Sequence, residues 1–203
     1  IANDPFYLLS NDIISHYRNS VHQEYMSLND LTDSKMKKYV KSLMTGFSEK
    51  TFWADANSTL RLTYGKVEGS YPRDGMKYTW FTTMDGIVEK FNTGNDDFMI
   101  PERLKQLHKE KNYGKYGSNG NLNICFLGSN HTTGGNSGSP AINGDGLLVG
   151  INFDRSWEST MSDVLFDEEI CRNIMVDIRY VLWVIDIYAG AGHLVDEMTL
   201  IEN

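Results

Sequence analysis

The chain has 203 residues, with 19 Lys+Arg against 27 Asp+Glu and a formal charge of −8. That balance lacks the basic surface of a nucleic-acid binder, and 40% hydrophobic content is too apolar for a disordered chain. The apolar run 181–185 is cut by Asp186, far short of the ~20 residues that cross a bilayer, so no membrane span is expected.

The sequence opens Ile1-Ala2-Asn3-Asp4-Pro5, without an initiator Met or a leader pattern, and reads as a piece cut from a longer protein. A helix is expected over 4–25, with Phe6, Leu9, Ile13 and Tyr17 on one face. After Asp33, the residues Met36, Tyr39, Val40, Leu43, Met44 and Phe47 recur at i, i+3, i+4, i+7 and predict a second helix ending at Thr45-Gly46. Each helix offers a core only one stripe. Residues 1–53 therefore read as the end of a larger helical body, and 54–203 as a separate unit.

From Ala54 the period shortens. Leu60, Leu62 and Tyr64 alternate with Arg61 and Thr63, as in a strand, and Tyr78, Trp80 and Thr82 repeat the pattern. Pro101 is expected in the first turn of a short helix running to Lys109. Leu122, Ile124 and Phe126 predict another strand before a Gly-rich loop. Asn143-Gly144-Asp145-Gly146 marks a hairpin turn between Ala141-Ile142 and the apolar run 147–151. A last helix is expected from Asp177, burying Val181, Leu182, Val184 and Ile185 and ending at Gly190-Ala191-Gly192. The fold class is α+β: helices, an antiparallel β-domain, then a terminal helix. Cys125 and Cys171 are too few for a disulfide scaffold, and both one bridge and two thiols stay open.

The chemistry concentrates in Thr132-Thr133-Gly134-Gly135-Asn136-Ser137-Gly138-Ser139-Pro140. A serine nucleophile in acyl transfer needs a base for its proton and N–H donors aimed at the developing oxyanion. Glycines beside the serine let consecutive amides turn toward one point, and Gly135 and Ser137 are placed to offer those amides. As composition alone this is an ordinary Gly/Ser surface loop. The order G-N-S-G-S-P before an apolar hairpin resembles the nucleophile loop of chymotrypsin-like peptidases.

A broader resemblance spans 53–198. The stretches Ala54-Asp55-Ala56-Asn57-Ser58-Thr59-Leu60-Arg61-Leu62-Thr63-Tyr64-Gly65, 129–140, Asn152-Phe153-Asp154-Arg155 and Val176-Asp177-Ile178-Arg179-Tyr180 resemble the C-terminal part of the bacterial dipeptidyl-peptidase 7/11 family. Those are exported serine exopeptidases with a chymotrypsin-like double barrel and an inserted helical domain. The resemblance implies a β-barrel half over 54–203, a periplasmic or cell-surface location, and Ser137 as nucleophile. It also implies that Arg155 reads the side chain before the scissile bond, since Asp/Glu-specific members carry Arg there and apolar-preferring members Gly. Asp154 is implied to hold the substrate's α-ammonium group, with a plain surface carboxylate as the alternative. For Arg155 the alternative is a surface ion pair with Asp154 or Glu158.

The family's triad His and Asp lie upstream of this segment, so the expected partners are a peptide substrate and the N-terminal barrel and helical domain of the same protein. Among His16, His22, His108, His131 and His193, only His131 is near Ser137 in sequence, and a hydrogen bond within its own loop is its expected job. No cofactor or metal is expected; Asp167-Glu168-Glu169 reads as a solvated charge run. Asn57-Ser58-Thr59 and Asn130-His131-Thr132 fit a glycosylation pattern that is common by chance. Trp157 is either a binding aromatic or a core residue. The leading reading is a serine dipeptidyl-peptidase piece that prefers Asp or Glu before the cleaved bond and is inert alone. The alternatives are a glutamyl endopeptidase of the same fold and a non-catalytic binding domain with a relic serine loop.

Overall fold

The computed structural model describes residues 3–50, 52 and 58–201. The chain divides into two compact units, Ile1–Ala54 and Asp55–Asn203.

In the first unit, helix α1 (Pro5–His16) starts at Asp4, whose Oδ1 accepts from the amides of Phe6 (2.9 Å) and Tyr7 (3.1 Å). Pro5 follows the cap, where its missing N–H costs nothing. One π turn, Tyr17–Val21, leads directly into α2 (His22–Gly46). Ser20 Oγ donates to His16 O at the join (2.5 Å), the kind of back-bond that accompanies a local widening of a helix. The expected break between the two helices near Asp33 is absent: α2 runs through it. No residue of α1 or α2 is buried.

The second unit begins with an extended, irregular stretch. Leu60, Leu62 and Tyr64 are exposed and belong to no strand, so the expected strand there does not form. Alternation says that a segment can pair, not that a neighbouring strand lies beside it. Strands β1 (Ser70–Arg73) and β2 (Met76–Tyr78) make a hairpin around Asp74-Gly75. Thr79 Oγ1 then donates to Phe81 O (2.9 Å), and the chain leaves this ribbon and enters a second sheet as β3 (Phe81–Thr83). The pattern Tyr78, Trp80, Thr82 is thus split between two sheets.

Helices α3 (Met84–Phe91) and α4 (Glu102–Lys109) follow, with Pro101 as the N-cap of α4. Then come β4 (Asn123–Gly128), β5 (Pro140–Ile142), β6 (Leu148–Arg155), β7 (Asn173–Asp177), α5 (Ile178–Trp183) and α6 (Gly192–Asp196). The five-stranded sheet is antiparallel with order β3-β4-β7-β6-β5. It is open. The expected barrel does not close, because β3 and β5 are edges that pair with one neighbour each and the 60–64 segment joins neither.

Leu122, just before β4, and Ile124 on β4 pack into the core with Met84, Leu104, Leu107 and Trp183. Trp183 is wholly buried and its Nε1 donates to Asn112 O (3.0 Å). Truncating such a residue to Ala typically costs about 3–5 kcal/mol. Burial and a bond to Asp186 (2.8 Å) raise the Tyr116 hydroxyl to about 12, so it stays a neutral donor. Asp177 ends β7 and caps α5, accepting from the Arg179 amide (2.9 Å) and guanidinium (2.9 and 2.6 Å). That cap fixes where the strand stops. Cys125 and Cys171 are unpaired thiols, and burial pushes Cys125 up.

Candidate active site

The loop 129–140 joins β4 to β5 as two consecutive turns. Asn136 N donates to Thr133 O (3.2 Å), and Ser139 N donates to Asn136 O (3.0 Å). Gly135 (φ 96°) and Gly138 (φ 80°) occupy the third position of each turn, where a positive φ is required and a side chain is strained. Ser137 therefore sits exposed between two bends. Inner residues of such turns keep their amides out of the turn bond. Among the described residues, neither the Gly135 nor the Ser137 amide has an acceptor, and Ser137 Oγ has no hydrogen-bond partner.

A ladder of carboxamides holds this loop to the sheet. Asn136 Oδ1 accepts from Thr133 N (3.0 Å), and Asn152 Nδ2 donates to Asn136 O (3.1 Å). Asn173 Nδ2 donates in turn to Asn152 Oδ1 (2.8 Å). Main-chain bonds Gly138 N to Asn152 O (2.7 Å) and Asn152 N to Ser139 O (2.9 Å) complete the attachment. Asn152 and Asn173 are buried on β6 and β7.

Beyond Asn152 the β6–β7 register slips, so Asn152 faces Met175 while Asp154 faces Ile174, with Phe153 the extra residue. Such a bulge re-aims the side chains that follow it. Asp154 is exposed and its Oδ1 accepts from the Arg155 amide (2.8 Å). Arg155 pairs with neither Asp154 nor Glu158 through its side chain. Its Nη1 donates to Ser162 Oγ (2.5 Å) and Asp163 Oδ1 (2.9 Å), and its Nη2 donates to Asp163 Oδ2 (2.9 Å). The hydrogen bonds from Arg155 hold the Asp163 carboxyl below the usual carboxylate range.

Ser162 and Asp163 end a short 3-10 turn, Trp157–Asp163. His131 Nε2 donates to Ser162 O (3.1 Å), and its ring meets Phe166 edge-on at 4.7 Å. Its bond reaches a neighbouring loop, where the sequence placed it within its own. The neck of that loop is closed by Ser156 N to Arg172 O (2.8 Å) and Arg172 N to Ser159 Oγ (2.7 Å). Arg172, 6% exposed, donates to the carbonyls of Gly69, Glu168 and Cys171 at 2.7–2.9 Å. Glu158 accepts from Tyr78 (2.8 Å). Trp157 is 84% exposed and so is no core residue.

Sequence reasoning named Ser137, Gly135, Asp154 and Arg155 but missed Asn152, Asn173, Ser162, Asp163 and Arg172. Their bonds depend on how separate turns and strands fold together, and no local pattern announces them. Asn57, within the first glycosylation pattern, lies outside the described residues, as do Trp53 and the 54–56 stretch of the resemblance. In the second, Thr132 is buried. A concavity of about 500 Å³ lies on the β1–β2 hairpin (Tyr71, Arg73, Met76, Lys77), and none of its lining belongs to the Ser137 loop. No helix among the described residues is long and apolar enough to cross a membrane.

Comparison with known proteins decides the lineage. The profile of peptidase S46 matches residues 2–200. The chain belongs to the peptidase S46 family. An Asp/Glu-specific dipeptidyl-peptidase of Flavobacterium psychrophilum is 45% identical over 201 residues, covering 99% of this chain and 28% of its own length. A dipeptidyl-peptidase 7 of Phocaeicola vulgatus is 48% identical over 167 residues, 82% of this chain and 23% of that protein. Among solved structures, DPP11 of Porphyromonas endodontalis in complex with substrate superposes with a TM-score of 0.83 at 35% identity, over 96% of this chain and 28% of that one. This S46 chain thus spans about a quarter of the length of the relatives it matches, and relatives with two different names match it to a similar degree.

Proposed function

We propose that this S46 chain carries the nucleophile, the oxyanion donors and the substrate-selecting arginine of a serine dipeptidyl-peptidase that prefers Asp or Glu before the scissile bond. The observation that carries the reading is the exposed Ser137 between two glycine turns, with no acceptor among the described residues for its own amide or that of Gly135. Ser137 Oγ attacks the scissile carbonyl carbon while its proton passes to a base. The two amides take the charge that develops on the carbonyl oxygen, an effect worth about 10²–10³ in kcat per donor. Collapse expels the amine of the shortened peptide and leaves a dipeptidyl ester on Ser137, which water then cleaves. Asp154 is exposed beside Arg155 and takes the role of binding the substrate's α-ammonium group.

Arg155 supplies the preference. A guanidinium is a planar fork matched to a carboxylate, and it discriminates better than a point charge. The base and its orienting acid are assigned to the remainder of the longer enzyme, in a chymotrypsin-like arrangement of two barrels at the periplasm or cell surface. This chain alone is then inert, since an unpaired serine hydroxyl is a poor nucleophile at neutral pH.

Fluorophosphonate labelling of the full-length enzyme tests the reading. The label is expected on Ser137 and to vanish with Ser137→Ala, with kcat falling by about 10⁶. Retained labelling in that variant, or full-length protein that never labels, removes the serine mechanism. Cleavage of N-terminally blocked peptides would replace the exopeptidase with an endopeptidase of the same chemistry.

A further inference from the structure

Arg155 has five N–H donors, and the structure shows how they are divided. Both Nη1 hydrogens are used, one on Ser162 Oγ and one on Asp163 Oδ1, and one Nη2 hydrogen is used on Asp163 Oδ2. The grip is end-on. The Nε–H and the second Nη2–H, which lie together along the guanidinium's side edge, have no acceptor among the described residues. Those two parallel donors form a complete second fork for a carboxylate.

The gripping residues are themselves fixed. Ser162 is buried and its carbonyl is held by His131 from the Ser137 loop (3.1 Å). The loop's neck is closed by Ser156, Ser159 and Arg172. Arg155 is 20% exposed and Asp163 52%. The selecting cation is thus sheltered while its partner carboxylate sits at the surface.

We propose that Asp163 is a positioning residue for substrate selection: it grips the Nη1/Nη2 end of Arg155 so that the Nε/Nη2 edge is left as the dock for the substrate's acidic side chain. This rests on the reading that Arg155 selects the residue before the scissile bond. Two carboxylates share one guanidinium, Asp163 end-on as a resident and the substrate side-on as a visitor. No side chain has to leave when substrate arrives.

The test uses the full-length enzyme with dipeptidyl substrates ending in Asp, Glu or Leu. Asp163→Ala frees the guanidinium to swing, and KM for the acidic substrates is expected to rise about tenfold with kcat kept. Leu substrates should be unaffected, a split that general loosening of the fold would not give. Asp163→Asn keeps one acceptor and Ser162→Ala removes one bond; each should raise KM by less than Asp163→Ala. An unchanged KM overturns the proposal. A lowered KM also overturns it and makes Asp163 a competitor for the arginine. Arg155→Ala separates the two levels: if acid preference survives that variant, the reading of Arg155 falls. If preference is lost with Arg155→Ala but Asp163→Ala behaves as wild type, only the positioning role falls.

Discussion

The loop that carries Ser137 and the loop that grips Arg155 meet at His131, yet they are held by opposite chemistry. The 129–140 loop is fixed by uncharged groups: two glycine turns and a carboxamide ladder through Asn136, Asn152 and Asn173. The 156–172 loop closes around Arg172, a cation at 6% exposure whose donors fill two carbonyls of that loop and the Gly69 carbonyl before β1. An amide ladder fixes direction at small desolvation cost, which suits two N–H groups that must aim at one point. A buried cation ties distant segments together but fails badly when any part is removed. On the proposed reading, the reacting end of the site is held by uncharged groups and the selecting end by charged ones.

The hardest way to break this contrast is Arg172→Met. It leaves the carbonyls of Gly69, Glu168 and Cys171 without these donors, and a loss of about 3–5 kcal/mol is expected in denaturant unfolding. A loss under about 1 kcal/mol would show that the neck is held by its serines alone.

Asn152→Ala strips the middle rung of the ladder, leaving Asn173 Nδ2 unpaired and Asn136 O with only its turn bond from Ser139 N. The expected cost is smaller, about 1–3 kcal/mol. In the full-length enzyme it should lower kcat with little change in KM, because it disturbs where Ser137 sits. Arg172→Met should chiefly raise KM for acidic substrates. If the two variants give the same kinetic pattern, the loops do not divide the work.

The smallest effect is a pH dependence. The folded-state pKa of Asp163 is depressed, chiefly by its hydrogen bonds from Arg155. Its contribution to stability is therefore complete above the ordinary carboxylate pKa of about 4 and is lost as pH falls through the lowered value. Asp163 is half exposed, so screening keeps the contribution below about 1 kcal/mol. The gap in melting temperature between wild type and Asp163→Asn should shrink on acidification and with added salt. A gap that widens toward low pH would mean that the pair is not what the substitution removes.

What the sequence made legible follows the range of each interaction. The 143–146 turn, β4, α4 and the Asp177 cap are local: Asn143 Oδ1 accepts from the amides of Asp145 and Leu147, and Asp177 from that of Arg179. Helix α3 was missed although Met84, Ile87, Val88 and Phe91 have helical spacing; Gly86 in its first turns masks the signal. The 60–64 strand was read from alternation, which says that a segment can pair but not what it pairs with, and the barrel was implied by the resemblance alone. In the site, the turns around Ser137 were readable because glycines sit in them, while the serine's role was implied only by the resemblance. The Asp163 grip was not, since its eight-residue reach from Arg155 depends on how the 3-10 turn folds back.

The open sheet has a consequence for handling this chain in solution. Unpaired strand edges invite other chains to add on. Here both edges are only three residues long, and β5 begins with Pro140, which has no N–H to offer. They make poor templates. A stickier element of this unit is the extended stretch with Leu60, Leu62 and Tyr64, all exposed and already spaced as a strand would space them. At high concentration this segment, more than the sheet, is where one copy would find another. Replacing Leu60 and Leu62 with Lys should keep the chain monodisperse in light scattering while leaving the core unchanged.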